Sequence, residues 1–326
     1  MQPSPKTSVI IVSFNTREIL RACLARLFEV TRYLDIEVLV VDNHSRDASA
    51  DMVERDFPAV KLIRSGVNLG FAAANNLGFK QASGEFILLL NPDALLEPGA
   101  LHKALAHIAA DPAIGMGGGR LLDRSGQKQP SARLYPSLLN EVLVLSGLAA
   151  RFPKSKFFGR FDRTWDDSDR PARVDWVPGA FALIRRSALA AVGPFDERFF
   201  LYYEEVDLCL RLRQAGWSVW YWPDVVVRHW GGESSKTVEH VELSSSGSQL
   251  TLWRMRSALL YYRKHHGAAV TSLVALLEGG WHQLRALRAK LLGNLHKCRE
   301  SGRVVALMRQ AWLETRCGRL SPPRPW

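Results

Sequence analysis

Cysteine is scarce in this chain of 326 residues: Cys23, Cys209, Cys298 and Cys317 are all it has, and no two form a C-x-x-C pair. That spacing excludes an ordinary structural zinc site, and at this length a disulfide framework is not expected. Cys23 and Cys209 fall in apolar helical patterns, so reduced structural thiols in a cytosolic setting are the expectation. Long hydrophobic runs are also missing. The best attempt, 267–277, is cut off by Glu278, well short of the roughly 18 residues a membrane span needs. Residues 1–7 carry no apolar core of the kind a secretory leader uses. Internal repeats are absent, and so are the G-x-G-x-x-G and Walker glycine fingerprints.

Negative charge is missing from one region only. After residue 249 there are 14 Lys/Arg against 3 Glu and no Asp, whereas the first 249 residues hold 29 of each sign. The whole net charge of +11 therefore belongs to the last quarter. A neutral body with a basic tail argues against nucleic acid and for a tail-specific partner, either anionic lipid head groups or an acidic protein.

What is present is an alternation of short apolar runs and helical patterns. Strand character at 8–13, 37–41, 60–64 and 86–90 is separated by helical spacing at 16–30, 48–57 and 75–82. Apolar runs this short, without polar alternation, suit strands buried on both faces. The order predicts a doubly wound α/β sheet with right-handed crossovers, whose ligands bind beyond the carboxyl ends of the strands. Further on, 101–110 and 206–214 read as helices, 174–184 as a strand, and 219–222 and 225–229 as short strands split by Pro223-Asp224. The stretch 120–173 is mixed, with one helix near 138–148. From about residue 250, basic helices lead to a proline-rich end.

The polar residues fall at the strand ends. Ser13 to Asn15 follows the first strand, Asp42 the second, and Asn91-Pro92-Asp93 the fourth. Asp42 can accept a hydrogen bond from a nucleobase N–H, with Ser13 or Asn15 assisting, or it can cap a helix, a role for which Asp47 is better placed. In 68–79, NLGFAAANNLGF, glycines such as Gly70 let backbone approach a ligand, and Asn75 is expected to open an anion-favouring helix. Loop-plus-cap is the plainer reading of that segment. Asp93, two residues past an apolar strand, has the placement of an oxygen ligand for Mg2+ or Mn2+ beside a diphosphate, or of a simple turn. Asp196, Glu197, Glu204, Glu205 and Asp207 crowd among aromatic and leucine residues, which raises carboxyl pKa values and suits a general base. Helix-dipole complementarity explains Glu204 and Glu205 equally, and Asp207 with Arg211 reads as a surface i,i+4 pair. His229 and Trp230 precede a glycine and serine run through Ser235, a candidate lid over phosphates.

Together, VSFN (12–15), VDNHSRD (41–47), NLGFAAANNLGF, NPDA (91–94), GAFALIRR (179–186), FDERFFLYYEEVDLCLR (195–211) and HWGGES (229–234) resemble glycosyltransferase family 2. The likeness spans roughly residues 9–235 and leans toward the rhamnosyltransferase-like branch acting on cell-envelope polysaccharides. It implies the A-type glycosyltransferase fold, a mostly parallel central sheet flanked by helices, here with a basic helical C-terminal appendage. It implies a catalytic domain over 1–249, with a nucleotide half to about 120 and an acceptor half after it, and the helical region over 250–326. By position, Asp42 resembles the base-binding aspartate, and Asn68 and Asn75 fall in the nucleotide-contacting segment. Asp93 matches the last carboxylate of the family's D-x-D motif, whose first position is Asn91 here, so a weaker metal site is expected. His229 corresponds to a residue that completes the metal shell in some relatives. The catalytic base falls on Glu205, where Asp is usual, with Asp196 as second choice; Gly179, Glu204 and Trp230 lie in the supporting motifs.

The implied reaction is inverting transfer of a hexose or rhamnose from a dTDP- or UDP-linked donor to a hydroxyl of a saccharide or lipid-linked acceptor. The rivals are a non-catalytic carbohydrate-binding scaffold and a nucleotidyltransferase. The second would normally carry a glycine-rich loop after the first strand, and VSFNTRE has none. In the tail, Leu252, Met255, Leu259 and Tyr262 form one stripe, and Trp281, Leu284, Leu287, Leu291 and Leu295 another beside Arg285, Arg288 and Lys290. Such helices suit a membrane interface or packing on the body. A cytoplasmic protein able to lie against the inner face of the cell membrane is expected.

Overall fold

The computed structural model describes residues 6–166, 169–231 and 248–322. Its first part alternates regularly: β1 (Thr7–Ser13), α1 (Arg17–Thr31), β2 (Ile36–Asp42), α2 (Ser49–Asp56), β3 (Lys61–Arg64), α3 (Gly70–Gln81) and β4 (Phe86–Leu90). β3, β2, β1 and β4 lie side by side, all parallel, with Ser13 level with Asp42. Each strand faces two ways. Val9, Ile11, Val38, Val40, Phe86 and Leu88 meet α1, α2 and the helix α4 (Ala100–Ala110) on one side. Ile10, Leu39, Val41, Ile87 and Leu89 meet α3 and later helices on the other. Two buried faces leave no solvent side, which is why these runs show no polar alternation.

Beyond β4 the sheet becomes mixed. The rest comprises β5 (Ala94–Leu96), β6 (Ile114–Leu122), α5 (Leu138–Leu145), α6 (Leu148–Arg151), β7 (Ala172–Val174), β8 (Phe181–Arg185), α7 (Arg186–Val192), α8 (Glu204–Gln214) and β9 (Ser218–His229). Among the described residues the sheet order is β3-β2-β1-β4-β8-β6-β9-β5, with β7 on β9. β8 is antiparallel to both β4 and β6, and β9 is parallel to β6. The expected mostly parallel sheet is thus wholly parallel over β3, β2, β1 and β4 and mixed beyond them. The expected strand over 174–184 divides into β7 and β8. The two expected strands around Pro223-Asp224 are one strand, whose register against β6 shifts from Gly119↔Trp222 to Arg120↔Val226.

β6, with sequence IGMGGGRLL, has no strand signature, because glycine weakens strands. The reason for its glycines lies elsewhere in the chain. A Cβ on Gly117 would run into the ring of Trp222, and one on Gly118 would press on Val177. Trp222 is buried against this strand and fills the space a side chain would take. Gly117→Ala is therefore expected to destabilise the fold by about 1–3 kcal/mol through overpacking. A lower Tm in thermal unfolding checks it, and an unchanged Tm would mean that Trp222 can move aside.

The tail forms two helices, α9 (Ser248–Leu291), broken by non-helical backbone at Gly267, and α10 (Leu295–Glu314). Before the break, Leu252, Met255, Leu259 and Tyr262 are buried, Ser257 Oγ donates to the Leu201 carbonyl, and Tyr262 Oη donates to Glu141. This stripe packs on the body. No helix among the described residues is long and apolar enough to cross a membrane.

Candidate active site

The carboxyl ends of β1, β2 and β4 open onto one edge of the sheet. Asp42, buried at the end of β2, accepts the Ser45 N–H through Oδ2 at 3.2 Å, while its Oδ1 is buried without a partner. A buried acceptor left unpaired is costly and is suited to a ligand donor. The N-cap position of α2 is Ala48, without a side-chain cap; Asp47, the expected cap, lies one residue before it, its Oδ1 accepting from Ser49 N–H and Oγ and its Oδ2 the Arg17 N–H. Asn15 adopts a left-handed φ of 52° and stitches two loops together: its N–H donates to Ser45 Oγ, and its Oδ1 accepts the Arg46 N–H. Ser13 Oγ is spent on Thr16 at 2.9 Å.

The glycine-rich segment does different work from that expected. α3 begins at Gly70, so Asn75 does not open a helix but lies inside one, donating to the Phe71 carbonyl. A Cβ on Gly70, at φ 79°, would collide with the Phe200 carbonyl oxygen, which accepts the Phe71 N–H at 2.8 Å. The close approach that needs glycine is to the protein's own 194–203 loop. Asn68 Oδ1 accepts from Asn43 Nδ2 and the Gly70 N–H, bracing the loop after Asp42. Asn76, which the motif reading passed over, clamps the same 194–203 loop: it accepts the Phe195 N–H and donates to the Phe195 carbonyl and Glu197. Its signal, an amide on the buried side of a helix, is shared with many structural residues.

Asp93 and His229 are brought together by register. β5 pairs antiparallel with the end of β9, aligning Ala94 with His229, and the Trp230 N–H donates to the Asp93 carbonyl. His229 Nε2 lies 3.5 Å from Asp93 Oδ1 and 3.5 Å from Asn91 Nδ2. The other ring nitrogen, Nδ1, is 2.8 Å from Gln129 Oε1, and Gln129 Nε2 donates back to the His229 carbonyl at 3.0 Å. Oε1 can only accept, so Nδ1 carries a proton and Nε2 is the ring nitrogen turned toward Asp93, the one a metal would use. One carboxylate and one oriented imidazole fit a divalent cation. Among the described residues no third His, Cys, Asp or Glu joins them, so further ligands would be a diphosphate and water. Gln129 carried no signal in the sequence. Beneath the loop, Cys23 Sγ contacts the Ala94 carbonyl, and burial pushes its thiol far above the usual range. Residues 232–235 of the expected lid lie outside the described residues.

The acidic segment is equally specific. Tyr202 and Tyr203 both take left-handed φ, 68° and 70°, immediately before α8. Two such bulky residues in succession store strain and deliver Glu204 and Glu205 at the helix start. Burial raises both carboxyls above the ordinary range, Glu204 the further because the Glu205 charge adds to it. A hydrogen bond between the two raises Glu204 and lowers Glu205, while Arg133 and the Gly179 N–H favour the charged form of Glu205. Of the two, Glu204 keeps its proton to the higher pH and Glu205 gives its own up first, and each retains one buried, unpartnered Oε2.

The backbone at 179–180 joins the two halves. Ala180 C=O accepts the Asn91 N–H at 3.1 Å, and the Gly179 backbone favours the charged form of Glu205. The candidate base and the Asn-Pro-Asp loop therefore stand beside adjacent residues at the head of β8.

Asp196, the second choice for a base, is committed elsewhere. Burial would raise it, but hydrogen bonds from Arg198 and Lys264 outweigh that and hold it well below the usual range. A carboxylate this acidic is a poor proton acceptor near neutrality. Asp207 does pair with Arg211 at 2.8 Å, but not on the surface: it is fully buried and also meets Lys264 and His265 of α9. The Trp230 ring lies under Arg124 at 4.7 Å.

Comparison with known proteins places the chain in a family. A family model described as glycosyl transferase family 2 matches residues 8–193. The N-acetylglucosaminyl-diphospho-decaprenol L-rhamnosyltransferase of Mycobacterium tuberculosis is 35% identical over 234 residues, covering 68% of this chain and 75% of that protein. Rhamnosyltransferase WbbL of Escherichia coli is 24% identical over 263 residues, 78% of this chain and 91% of its own. Among solved structures, a mannosyltransferase from Pyrobaculum calidifontis in complex with GDP-Man and Mn2+ has a TM-score of 0.56 at 17% identity, covering 96% of this chain and 87% of that one. GalNAc-T7 with UDP, GalNAc and Mn2+ has a TM-score of 0.55 at 15% identity, over 80% and 50%.

Proposed function

The chain belongs to glycosyltransferase family 2 and has the A-type glycosyltransferase fold, and from that premise we propose a metal-dependent, inverting transfer of L-rhamnose or a related hexose. The donor is a dTDP- or UDP-linked sugar, and the acceptor a hydroxyl of a lipid-linked saccharide in cell-envelope polysaccharide assembly. The relative named as a diphospho-decaprenol L-rhamnosyltransferase supports both the sugar and the lipid carrier. Such an acceptor puts the reaction at a membrane surface.

Asp42 receives a base N–H on its unpaired Oδ1, with Asn15 and Asn68 holding its loop in place. Glu205 takes the proton of the acceptor hydroxyl, whose oxygen attacks the anomeric carbon from the face opposite the diphosphate. The C–O bond to the diphosphate breaks as the new glycosidic bond forms, so one displacement inverts the anomeric centre. Glu204, protonated, donates to Glu205 and keeps it the more acidic of the two. Asp93 and His229 would hold Mg2+ or Mn2+, which supplies positive charge to the departing diphosphate. The observation that carries this reading is the meeting of Asp93 with a His229 ring oriented by Gln129, at the sheet edge where Asp42 keeps a buried, unpartnered Oδ1.

The test is nucleoside-diphosphate release from a panel of dTDP-, UDP- and GDP-sugars, with Mg2+ or Mn2+ and with EDTA. Metal-dependent release from one donor is expected. Neither release nor calorimetric binding of any donor would favour a scaffold instead. Gln129→Leu frees His229 to turn, and the affinity for Mn2+ in the presence of nucleotide is expected to fall about 10- to 100-fold. Unchanged Mn2+ affinity by calorimetry would mean that Gln129 has no hold on the metal site.

A further inference from the structure

The break at Gly267 divides α9 into two parts with different surroundings. The part before it is buried on the body, and α10 returns to it: Met308 and Ala311 pack on Leu252, Met255 and Leu259. The far end of the hairpin, where α9 turns into α10, is exposed at every residue from 290 to 297. Leu291 is 78% and Leu292 71% exposed, and Leu284, Leu287 and Leu295 are exposed beside them. Positions 284, 287 and 291 lie on one helical face, so the leucines form a stripe ending in an apolar apex. Five clustered leucines left in water mark an interaction site.

The charge around the apex identifies the partner. Between residues 281 and 303 there are six Lys/Arg and only Glu300 of opposite sign. The tail's other two acids face inward, Glu278 bonded to Arg254 and Glu314 to Arg256. An isologous contact with a second copy would bring these like charges together. A convex leucine tip ringed by cations matches instead a fluid interface with anionic head groups, which needs no complementary groove.

We propose that the tip of the α9–α10 hairpin, with Leu291, Leu292 and Leu295 at its apex, seats in the interface of an anionic lipid bilayer. This deepens the lipid-linked acceptor reading by giving the enzyme its own hold on the surface where that acceptor lies.

The full chain is mixed with vesicles of phosphatidylcholine alone or with added phosphatidylglycerol, and binding is measured by co-sedimentation. Binding to the anionic vesicles is expected to exceed binding to neutral ones about tenfold or more, and to weaken with salt. The variant Leu291→Ser, Leu292→Ser, Leu295→Ser is expected to lose about tenfold or more of that binding, with its rate of donor turnover in solution unchanged. Arg285→Gln, Arg288→Gln, Lys290→Gln is expected to lose the anionic preference. Undiminished binding by the triple-serine variant overturns the proposal. So does light scattering showing that the same substitutions break a dimer in the absence of lipid. A chain that turns over donor but ignores vesicles leaves the transferase reading standing and removes only the seating; vesicle binding without turnover does the reverse.

Discussion

Glu205→Gln is expected to lower kcat for transfer by about 100- to 10,000-fold, the range over which a positioned general base acts, while donor KM changes little. The amide keeps the size of the carboxyl, so Tm should hold. Glu204→Gln is expected to retain most activity, because Glu204 acts as a proton-holding donor and glutamine still offers an N–H. The pH profile supplies a second readout. Burial raises the Glu205 carboxyl above its usual range, so the base is protonated and inactive on the acid side. Activity should therefore rise with pH through a value above that of an ordinary glutamate, and reach its plateau nearer neutrality. Glu204→Leu removes the hydrogen bond that lowers Glu205, and its acid limb should move to higher pH. Equal losses from Glu204→Gln and Glu205→Gln, with no shift in the limb, would assign the proton transfer to another group.

Asp93→Ala should be the other large loss. Lewis-acid stabilisation of a leaving diphosphate contributes several kcal/mol, and about 4 kcal/mol corresponds to roughly a thousandfold in rate. Asp93 is the one carboxylate of the candidate metal pair, since Asn91 occupies the position at which the family's motif has its first aspartate. Losing it leaves His229 alone, and kcat/KM should fall about a thousandfold, with added Mn2+ restoring little. His229→Ala should cost less, because Asp93 would remain to hold the ion. Retained turnover in Asp93→Ala, insensitive to EDTA, would remove the metal from the mechanism. It would leave Glu205 and the oriented loop to act by positioning.

The relation between sequence and site differs across the two halves. Strands β1, β2 and β4 and the helices between them are legible because each apolar run is buried on both faces and polar residues wait at the strand ends. Asp42 and Asp93 stand out that way, and the structure leaves Asp42 Oδ1 without a partner. β6 was illegible for a reason of the same kind. Its glycines answer to Trp222 and Val177, about 60 to 105 residues on, and a local pattern carries no record of a distant ring. The 68–79 segment misled more directly. Its small residues announce a close approach, but the sequence does not say to what, and the partner is the Phe200 carbonyl of the protein itself.

By itself, the sequence determined the alternating strands and helices of the first half, the edge of the sheet at which polar residues collect, and the acidic start of α8. Local spacing and burial periodicity write these directly into the chain. Only the tertiary structure decided which groups stand together: His229 oriented by Gln129 across 100 residues, Asp196 withdrawn by Lys264, and Glu205 set apart from Glu204 by Arg133 and the Gly179 backbone. Each of these depends on charge, desolvation or a hydrogen bond between segments far apart in the chain, and such terms acquire their values only when folding brings the partners within reach.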